Sequence, residues 1–336
     1  MKIILDGQGG DNAPEAIVSG ADLALNDNKE LDVVITGSAE AVKPLIDKMI
    51  NKDRVTFLQT TEVISNDESP VEAVRKKRDS SLIKGILKLK EDPDCAAFIS
   101  AGSTGALFSS AFMDLGRIKG ISRPCISVVL PTVNGKSTLL CDCGANADCK
   151  PINLLHFALM GSVYMKNVMG VENPRVALLS NGTEEHKGNE LVKESFKLLA
   201  ENANVNFVGN SEARYILSGD YDVVVADGFS GNVALKSMEG MSKNIFALLK
   251  DGINKSGIGG KIGALLLKKT FKGLKNKMDY NRYGGGILFG INKCVIKAHG
   301  SAKPVTIKAA IEQAVKATNG DIISKIKESV KEQVGE

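Results

Sequence analysis

The sequence predicts an α/β fold, a largely parallel sheet covered by helices on both faces. Short runs rich in β-branched residues alternate with longer stretches of helical period along most of the chain. That is the order a series of βαβ units produces. The chain holds 34 glycines in 336 residues, and many stand at the ends of apolar runs, where a strand must turn sharply into a helix. Hydrophobic residues are 43% and charged residues 24% of the chain. That is ordinary for a globular protein, and no stretch reaches the roughly 18 apolar residues of a spanning helix.

Taken in order, the apolar run at 2–6 reads as a strand ending at Gly7, with its helix over 13–26. Residues 32–36 and 39–51 repeat the pair, and a long helical stretch at 69–90 leads into the strand 95–100. That strand ends at Ala101-Gly102 before a helix over 104–115. Residues 125–130 and 138–142 break the alternation, because the segment between them contains Asn134-Gly135, a hairpin turn signal. They are expected to form an antiparallel β-hairpin arm able to pair across an oligomer interface. A helix over 151–170, a strand at 175–180, a helix over 188–202 and a strand at 204–208 restore the alternation. The strand 222–226 stops at Asp227-Gly228, and Asn232 is expected to open the helix 232–251. Helices at 303–318 and 322–333 close the pattern. With no repeat and no Pro/Ser-rich linker, any split into lobes must be made by chain crossover.

The formal charge of +4 is too weak to argue for nucleic acid and suits an anionic substrate, an acidic partner or an anionic membrane surface. The chain opens on Met1-Lys2-Ile3-Ile4-Leu5-Asp6, too short an apolar run for a secretory leader. The six cysteines lie mostly in apolar segments, as free thiols in a reducing cytoplasm would. Cys141-x-Cys143 on a strand would point to one face, and without a Cys/His pair of zinc spacing no metal is expected.

Five strand ends carry glycine with small polar residues. They are Gly7 to Pro14, Ala101 to Ala106, Cys143 to Asp148, Asn181 to Asn189 and Asp227 to Asn232. The carboxyl ends of parallel strands face the ligand crevice. Glycine lets backbone N–H groups approach a guest, and a following helix N-terminus adds unpaired donors. Each corner alone also reads as a turn with a helix cap, but together they predict a polar cleft that accepts phosphate. Named motifs do not fit: Gly7 and Gly9 lack the third glycine of a dinucleotide fingerprint, and no G-x-S-x-G nucleophile elbow occurs. Of the three histidines, His299, within Ile296-Lys297-Ala298-His299-Gly300-Ser301, stands in the most functional setting.

These blocks resemble the bacterial phosphate acyltransferases that make acyl-phosphate from acyl carrier protein thioesters early in phospholipid synthesis. The resemblance rests on Gly9-Gly10-Asp11-Asn12-Ala13-Pro14, Ser100 to Ala106, Asp142-Cys143-Gly144-Ala145-Asn146, Lys187-Gly188-Asn189, Asp222 to Gly240, and Lys297 to Ser301. Gln8 and Ser103 stand where the family usually has Met and Asn, and Gly284 to Gly290 lacks the family's proline. The resemblance implies a three-layer α/β/α fold like the isocitrate dehydrogenase and phosphotransacetylase group. Residues 1–336 would then form one two-lobed catalytic unit working as a homodimer, peripheral on the cytoplasmic membrane face, with no cofactor and no nucleic acid.

The implied reaction is attack of inorganic phosphate on a thioester carbonyl. Phosphate must be desolvated and aimed, the tetrahedral oxyanion needs fixed donors, and the thiolate leaves without a strong acid. Lys187 is expected to supply a cation, Asn232 to donate to the carbonyl oxygen or phosphate, and Asp227 to orient one of them. Gly102, Ser103, Thr104, Gly144 and Asn146 would complete the anion pocket, helped by Gly9, Gly10, Asp11, Asn12, Gly188, Asn189 and Gly228, with His299 as a further donor. Rival readings are a phosphotransacetylase acting on coenzyme A thioesters, a nicotinamide dehydrogenase, and a non-enzymatic acyl or phosphate sensor.

Residues 250–278 carry eight lysines against the single acid Asp251. On a helix, Leu267, Phe271, Leu274 and Met278 fall on one stripe flanked by Lys268, Lys272 and Lys275. This basic amphipathic insertion suits an anionic membrane interface, an acidic carrier protein or a dimer contact.

Overall fold

The computed structural model describes residues 1–278 and 283–334, with side chains described for 1–274 and 283–331. Eleven strands form one continuous sheet in the order β3-β2-β1-β4-β11-β10-β5-β6-β9-β7-β8. They are β1 (Lys2–Asp6), β2 (Asp32–Gly37), β3 (Val55–Gln59), β4 (Cys95–Ser100), β5 (Cys125–Pro131), β6 (Ser137–Cys141), β7 (Val176–Ser180), β8 (Phe207–Glu212), β9 (Val223–Val225), β10 (Gly285–Phe289) and β11 (Cys294–Ala298).

Alternation along each strand sends side chains to two cores. Ile3 and Leu5 enter one and Ile4 the other; Val33 and Ile35 are divided from Val34 in the same way. Helices α1 (Glu15–Asp27), α2 (Ala39–Ile46), α6 (Pro151–Asn167), α7 (Glu190–Ala200), α11 (Pro304–Asn319) and α12 (Ile322–Val334) cover the first core. Helices α3 (Pro70–Lys76), α4 (Ser81–Glu91), α5 (Thr104–Ser110) and the start of α8 (Gly228–Lys255) cover the second. The result is the three-layer α/β/α arrangement expected from the sequence. Two further helices, α9 (Gly257–Leu266) and α10 (Lys268–Met278), follow α8.

The topology departs from the expectation in one consequential way. β11 runs parallel to β4, but three antiparallel junctions follow, β11 to β10, β10 to β5 and β5 to β6, before β6 pairs parallel with β9. An odd number of reversals means that the parallel set containing β1 and β4 and the set containing β9 and β7 run in opposite directions. The strand ends therefore do not open onto one edge.

The hairpin is also not an arm. β5 pairs with β10 and β6 with β9, so both outer edges are occupied within this chain. Its tip is held too, since Val133 N donates to Leu217 O at 3.0 Å. Strands β3, β10 and β11 were not expected. The stretch 69–90 is two helices broken at 77–80, where Asp79 accepts from the Thr61 backbone and hydroxyl at 2.9 and 2.6 Å. Strand β8 starts later than expected, because Asn202 Oδ1 accepts from Asn204 N at 3.0 Å and turns the chain there.

Candidate active site

β1, β4 and β11 are neighbours in the sheet, so their carboxyl ends lie together. A Cβ at Gly9 would fall 2.3 Å from Asp6 Oδ2 and 2.8 Å from Gly102 N, so only glycine fits between these corners. Gly10 has φ 103°, and a Cβ there would meet Gly300 O at 2.9 Å. Asp11 N donates to Gly300 O at 2.8 Å, and Asn12 Nδ2 donates to Ser301 O and Ala302 O, each at 3.1 Å. The Gly9 to Asn12 segment thus fastens the β1 corner to the β11 corner. Ser103 caps α5, its Oγ accepting from Ala106 N at 3.4 Å.

Beneath these corners lies a polar cluster. Asp6 is buried, and Ser81 Oγ and Ser100 Oγ each donate to its carboxylate at 2.6 Å. Burial pushes the Asp6 carboxyl up, against the pull of those hydrogen bonds and of nearby Lys297. Lys297, on β11, donates from Nζ to Ala101 O at 3.3 Å and to Ala298 O. Burial pushes its ammonium down to about 8, opposed by the Asp6 and Asp11 carboxylates and reinforced by Lys236.

A second group gathers at the ends of β6 and β9. Asp142 is buried, and burial pushes its carboxyl up. Its Oδ1 accepts from Ile126 N at 3.0 Å and Ala145 N at 3.1 Å, and its Oδ2 from Asn146 N at 2.8 Å and Asn146 Nδ2 at 2.9 Å. Asn146 Nδ2 also donates to Pro124 O at 2.8 Å, so this amide is committed to holding the corner. A Cβ at Gly228 would lie 2.6 Å from Asn146 O, and one at Gly231 only 1.9 Å from Asp142 O. These two glycines let the start of α8 press onto the 142–146 segment.

Asp227 is the α8 N-cap: its Oδ1 accepts from Ser230 N and its Oδ2 from Ser230 Oγ, both at 2.8 Å. The helix therefore opens at Gly228, ahead of the expected Asn232. Asn232 lies one turn inside, its Cγ 3.5 Å from where a Cβ at Gly144 (φ 121°) would sit.

The corner after β7 belongs to neither group. Asn189 caps α7, its Oδ1 accepting from Val192 N at 2.9 Å, and Gly188 N donates to Asn181 Oδ1 at 2.9 Å. Lys187 N donates to Glu184 O at 3.0 Å, and the Lys187 side-chain stem passes over Gly182.

The two corner groups meet in a cavity of about 400 Å³ lying over β10 and β5, the seam between the opposed halves of the sheet. Thr104, Gly144, Asn232 and His299 line it, four residues expected from the sequence. Lys187, Asp227, Ser103 and Asn146 are not among its lining residues. Lys297, Lys236 and Glu239 line it as well and were missed. Each carried a signal. Lys297 is the one charge in the apolar strand CVIKA, and Lys236 and Glu239 stand four and seven residues after Asn232, on one helical face.

Lys236 Nζ bonds the buried Glu239 Oε2 at 2.9 Å. His299 Nδ1 lies 2.9 Å from Ser301 Oγ. Burial pushes the His299 imidazole down; Glu239 opposes the shift, and Lys236, Lys297 and Lys243 add to it. The lining also has an apolar part, made by Ile126, Val128 and Leu235. The cavity thus joins a cationic, hydrogen-bonding pole to an apolar lining.

No metal cluster appears among the described residues. Cys141 and Cys143 do not share a face as expected. The strand ends at Cys141, which enters one core while Cys143 enters the other. Residues 250–278 are not one helix: they comprise the end of α8, then α9 and α10. Leu267 ends α9, Leu267, Leu274, Lys268 and Lys272 are exposed, and Phe271 is half-buried. The side chains of Lys275 and Met278 lie outside the described residues.

A phosphate acyltransferase from Clostridium tetani is 46% identical over 331 residues, covering 98% of both chains. Another from Halothermothrix orenii is 47% identical over 332 residues, again covering 98% of each. Among solved structures, a phosphotransacetylase from Streptococcus pyogenes matches with a TM-score of 0.62 over 95% of this chain and 94% of its own, at 22% identity. A branched-chain phosphotransacylase from Enterococcus faecalis matches with a TM-score of 0.57 over 94% and 98%, at 14% identity. At those identities the solved structures speak for the fold. The model of the fatty acid synthesis protein family matches residues 1–325, and the chain belongs to that family.

Proposed function

We propose that this protein transfers a fatty acyl group from a thioester to inorganic phosphate, with acyl carrier protein as the donor. The observation that carries the reading is the cavity itself, whose lining combines Lys297, Lys236, His299 and Asn232 with the apolar Ile126, Val128 and Leu235. A phosphate and an acyl chain need those two environments side by side. A phosphate oxygen attacks the thioester carbonyl carbon and the C–O bond forms. The C–S bond then breaks, its electron pair leaving on sulfur, and the proton of hydrogen phosphate ends on the thiol. The products are acyl-phosphate and free carrier thiol.

Asn232, which lines the cavity, is on this reading the donor to the carbonyl oxygen as charge develops there. Lys187 is the proposed second cation: β7 is the neighbour of β9, so its corner lies beside the start of α8. The lysine-rich α8–α10 segment and its exposed Leu248, Ile258 and Leu266 suit an acidic carrier and an anionic membrane surface. On this reading the enzyme works as a homodimer in the cytoplasm, peripheral at the inner face of the membrane.

The test is direct. Protein, acyl carrier protein thioester and phosphate are incubated, and free thiol and acyl-phosphate are assayed, with parallel arms containing coenzyme A thioester or NAD. Turnover with the carrier thioester is expected. Turnover with the coenzyme A thioester alone would reassign the donor, and none in any arm would end the reading. Asn232→Ala and Lys187→Ala should each lower turnover by about 100-fold with the fold intact.

A further inference from the structure

We propose that Lys297 is the cation that receives the inorganic phosphate nucleophile, with Asp6 as the nearby carboxylate that favours its charged form. The inference deepens the acyl-transfer reading and rests on it. Four observations lead to it. The first is placement, since Lys297 lines the cavity together with Asn232, so a phosphate on the ammonium and a carbonyl on the amide would share one hollow.

The second is donor accounting. An ammonium has three N–H donors, and two go to Ala101 O and Ala298 O. The third has no protein partner among the described residues. The two carbonyls fix the head of the side chain and leave one donor for a guest.

The third is charge. A buried ammonium without an ion pair is costly to keep, and no carboxylate makes a direct salt bridge with Lys297 among the described residues. The acids nearby are engaged elsewhere: Glu239 on Lys236, and Asp6 on two serine hydroxyls. Asp6 still acts on Lys297 through space, as does Asp11. Lys236 in the same cavity is paired with Glu239, which leaves Lys297 as a cation of this pole with no direct carboxylate partner among the described residues. The fourth is the neighbouring strand. A Cβ at Gly285 would lie 2.3 Å from Lys297 O, and one at Gly286 2.7 Å from Ile126 Cγ2, so only glycine fits there. Beside Lys297 the cavity is therefore lined by bare β10 backbone, with no side chain competing for the ammonium.

The groups that face this ammonium are Asp6 on β1, Asp11 after it, Lys236 and Glu239 on α8, and His299 beyond its own strand. Lys297 has its ammonium pushed down to about 8 when the cavity holds no anion. Phosphate binding should therefore weaken as pH rises from 7 to 9.5 and the proton is lost.

The experiment uses the full chain as wild type, Lys297→Met, Lys297→Arg and Asp6→Asn, each checked for a native circular dichroism spectrum. Inorganic phosphate binding is measured by calorimetry, and KM for phosphate and for the acyl donor by turnover. Lys297→Met should weaken phosphate binding and raise its KM by about 10- to 100-fold, the worth of a charge-assisted hydrogen bond, with the donor KM within about 2-fold. Lys297→Arg keeps its charge throughout. It should recover part of the loss and abolish the decline above pH 8. Asp6→Asn should move that decline to lower pH.

A folded Lys297→Met with wild-type phosphate affinity would overturn the inference, as would a Lys297→Arg profile that still falls with pH. Should the wild type bind phosphate through Lys297 yet make no acyl-phosphate, the transfer reading fails while this assignment stands.

Discussion

A methyl group at Gly231 would sit 1.9 Å from the carbonyl oxygen of Asp142, whereas one at Gly240, in the same helix, would meet nothing within 4 Å. The two positions make opposite predictions. Gly231→Ala forces α8 off the 142–146 segment and should cost at least about 2 kcal/mol by overpacking. Gly240→Ala should gain about 0.5–1 kcal/mol by helix propensity alone. Urea denaturation of the two variants checks both signs. The contrast also shows what local sequence withholds. The glycines at 228 and 231 read as openings for an anion, and they serve to seat a helix against residues about 85 positions earlier. Lys297 was obscured by the converse problem. It stands in a strand otherwise apolar, and only the fold reveals that its face is a cavity and not the core. Thr104, Asn232 and His299 were legible because a strand end or helix start already restricts where they can point.

The elements were legible where hydrophobic period and a turn signal agreed, as in β1, β4, β5 and β9. They were not where glycine or polar residues diluted the pattern. β10 opens with Gly285-Gly286 and does not look like a strand core, and the buried polar pair Asn210 and Ser211 hid the continuation of β8 past residue 208. Period also cannot say what a hairpin pairs with. β5 and β6 were recognisable as partners, but their outer neighbours β10 and β9 come from distant sequence. The α8–α10 segment is the element to which the proposed membrane contact belongs. Leu248, Ile258 and Leu266 are 72%, 80% and 81% exposed on helices that carry Lys261, Lys268 and Lys272. A lysine near an anionic bilayer contributes about 1 kcal/mol. Reversing Lys268, Lys272 and Lys275 to Glu should therefore weaken binding to phosphatidylserine vesicles by at least about 100-fold and leave binding to neutral vesicles little changed. Co-sedimentation measures both. Unaltered binding to the anionic vesicles would remove the membrane role.

At the scale of the whole molecule, two parallel half-sheets of opposite direction are joined through β10 and β5, and the cavity occupies that seam. A seam of this kind brings strand ends from both halves over one face and leaves buried charge there that a closed core would not keep. Lys297 is the clearest case, and its cost should be visible in the stability of the fold. Burial moves it from 10.5 to about 8, which corresponds to on the order of 3 kcal/mol against the folded state while the side chain is charged in both states. The sign follows from proton counting. Below pH 8 folded and unfolded chains both hold the proton, and the full cost is present. Between pH 8 and 10.5 the unfolded chain holds it more tightly, so this group makes stability rise with pH. The cysteines oppose this: burial pushes Cys141 and Cys294 from 9.0 to about 12, so their contribution falls as pH climbs above 9. Comparing wild type with Lys297→Met at each pH cancels the cysteines and isolates the lysine. The variant should be the more stable protein at pH 7, by up to about 3 kcal/mol, and the gap should close as pH approaches 10.5. Denaturant titrations at pH 7, 8.5 and 10 read it. A variant less stable than wild type at pH 7, or a gap that stays constant with pH, would show that the fold itself needs this ammonium.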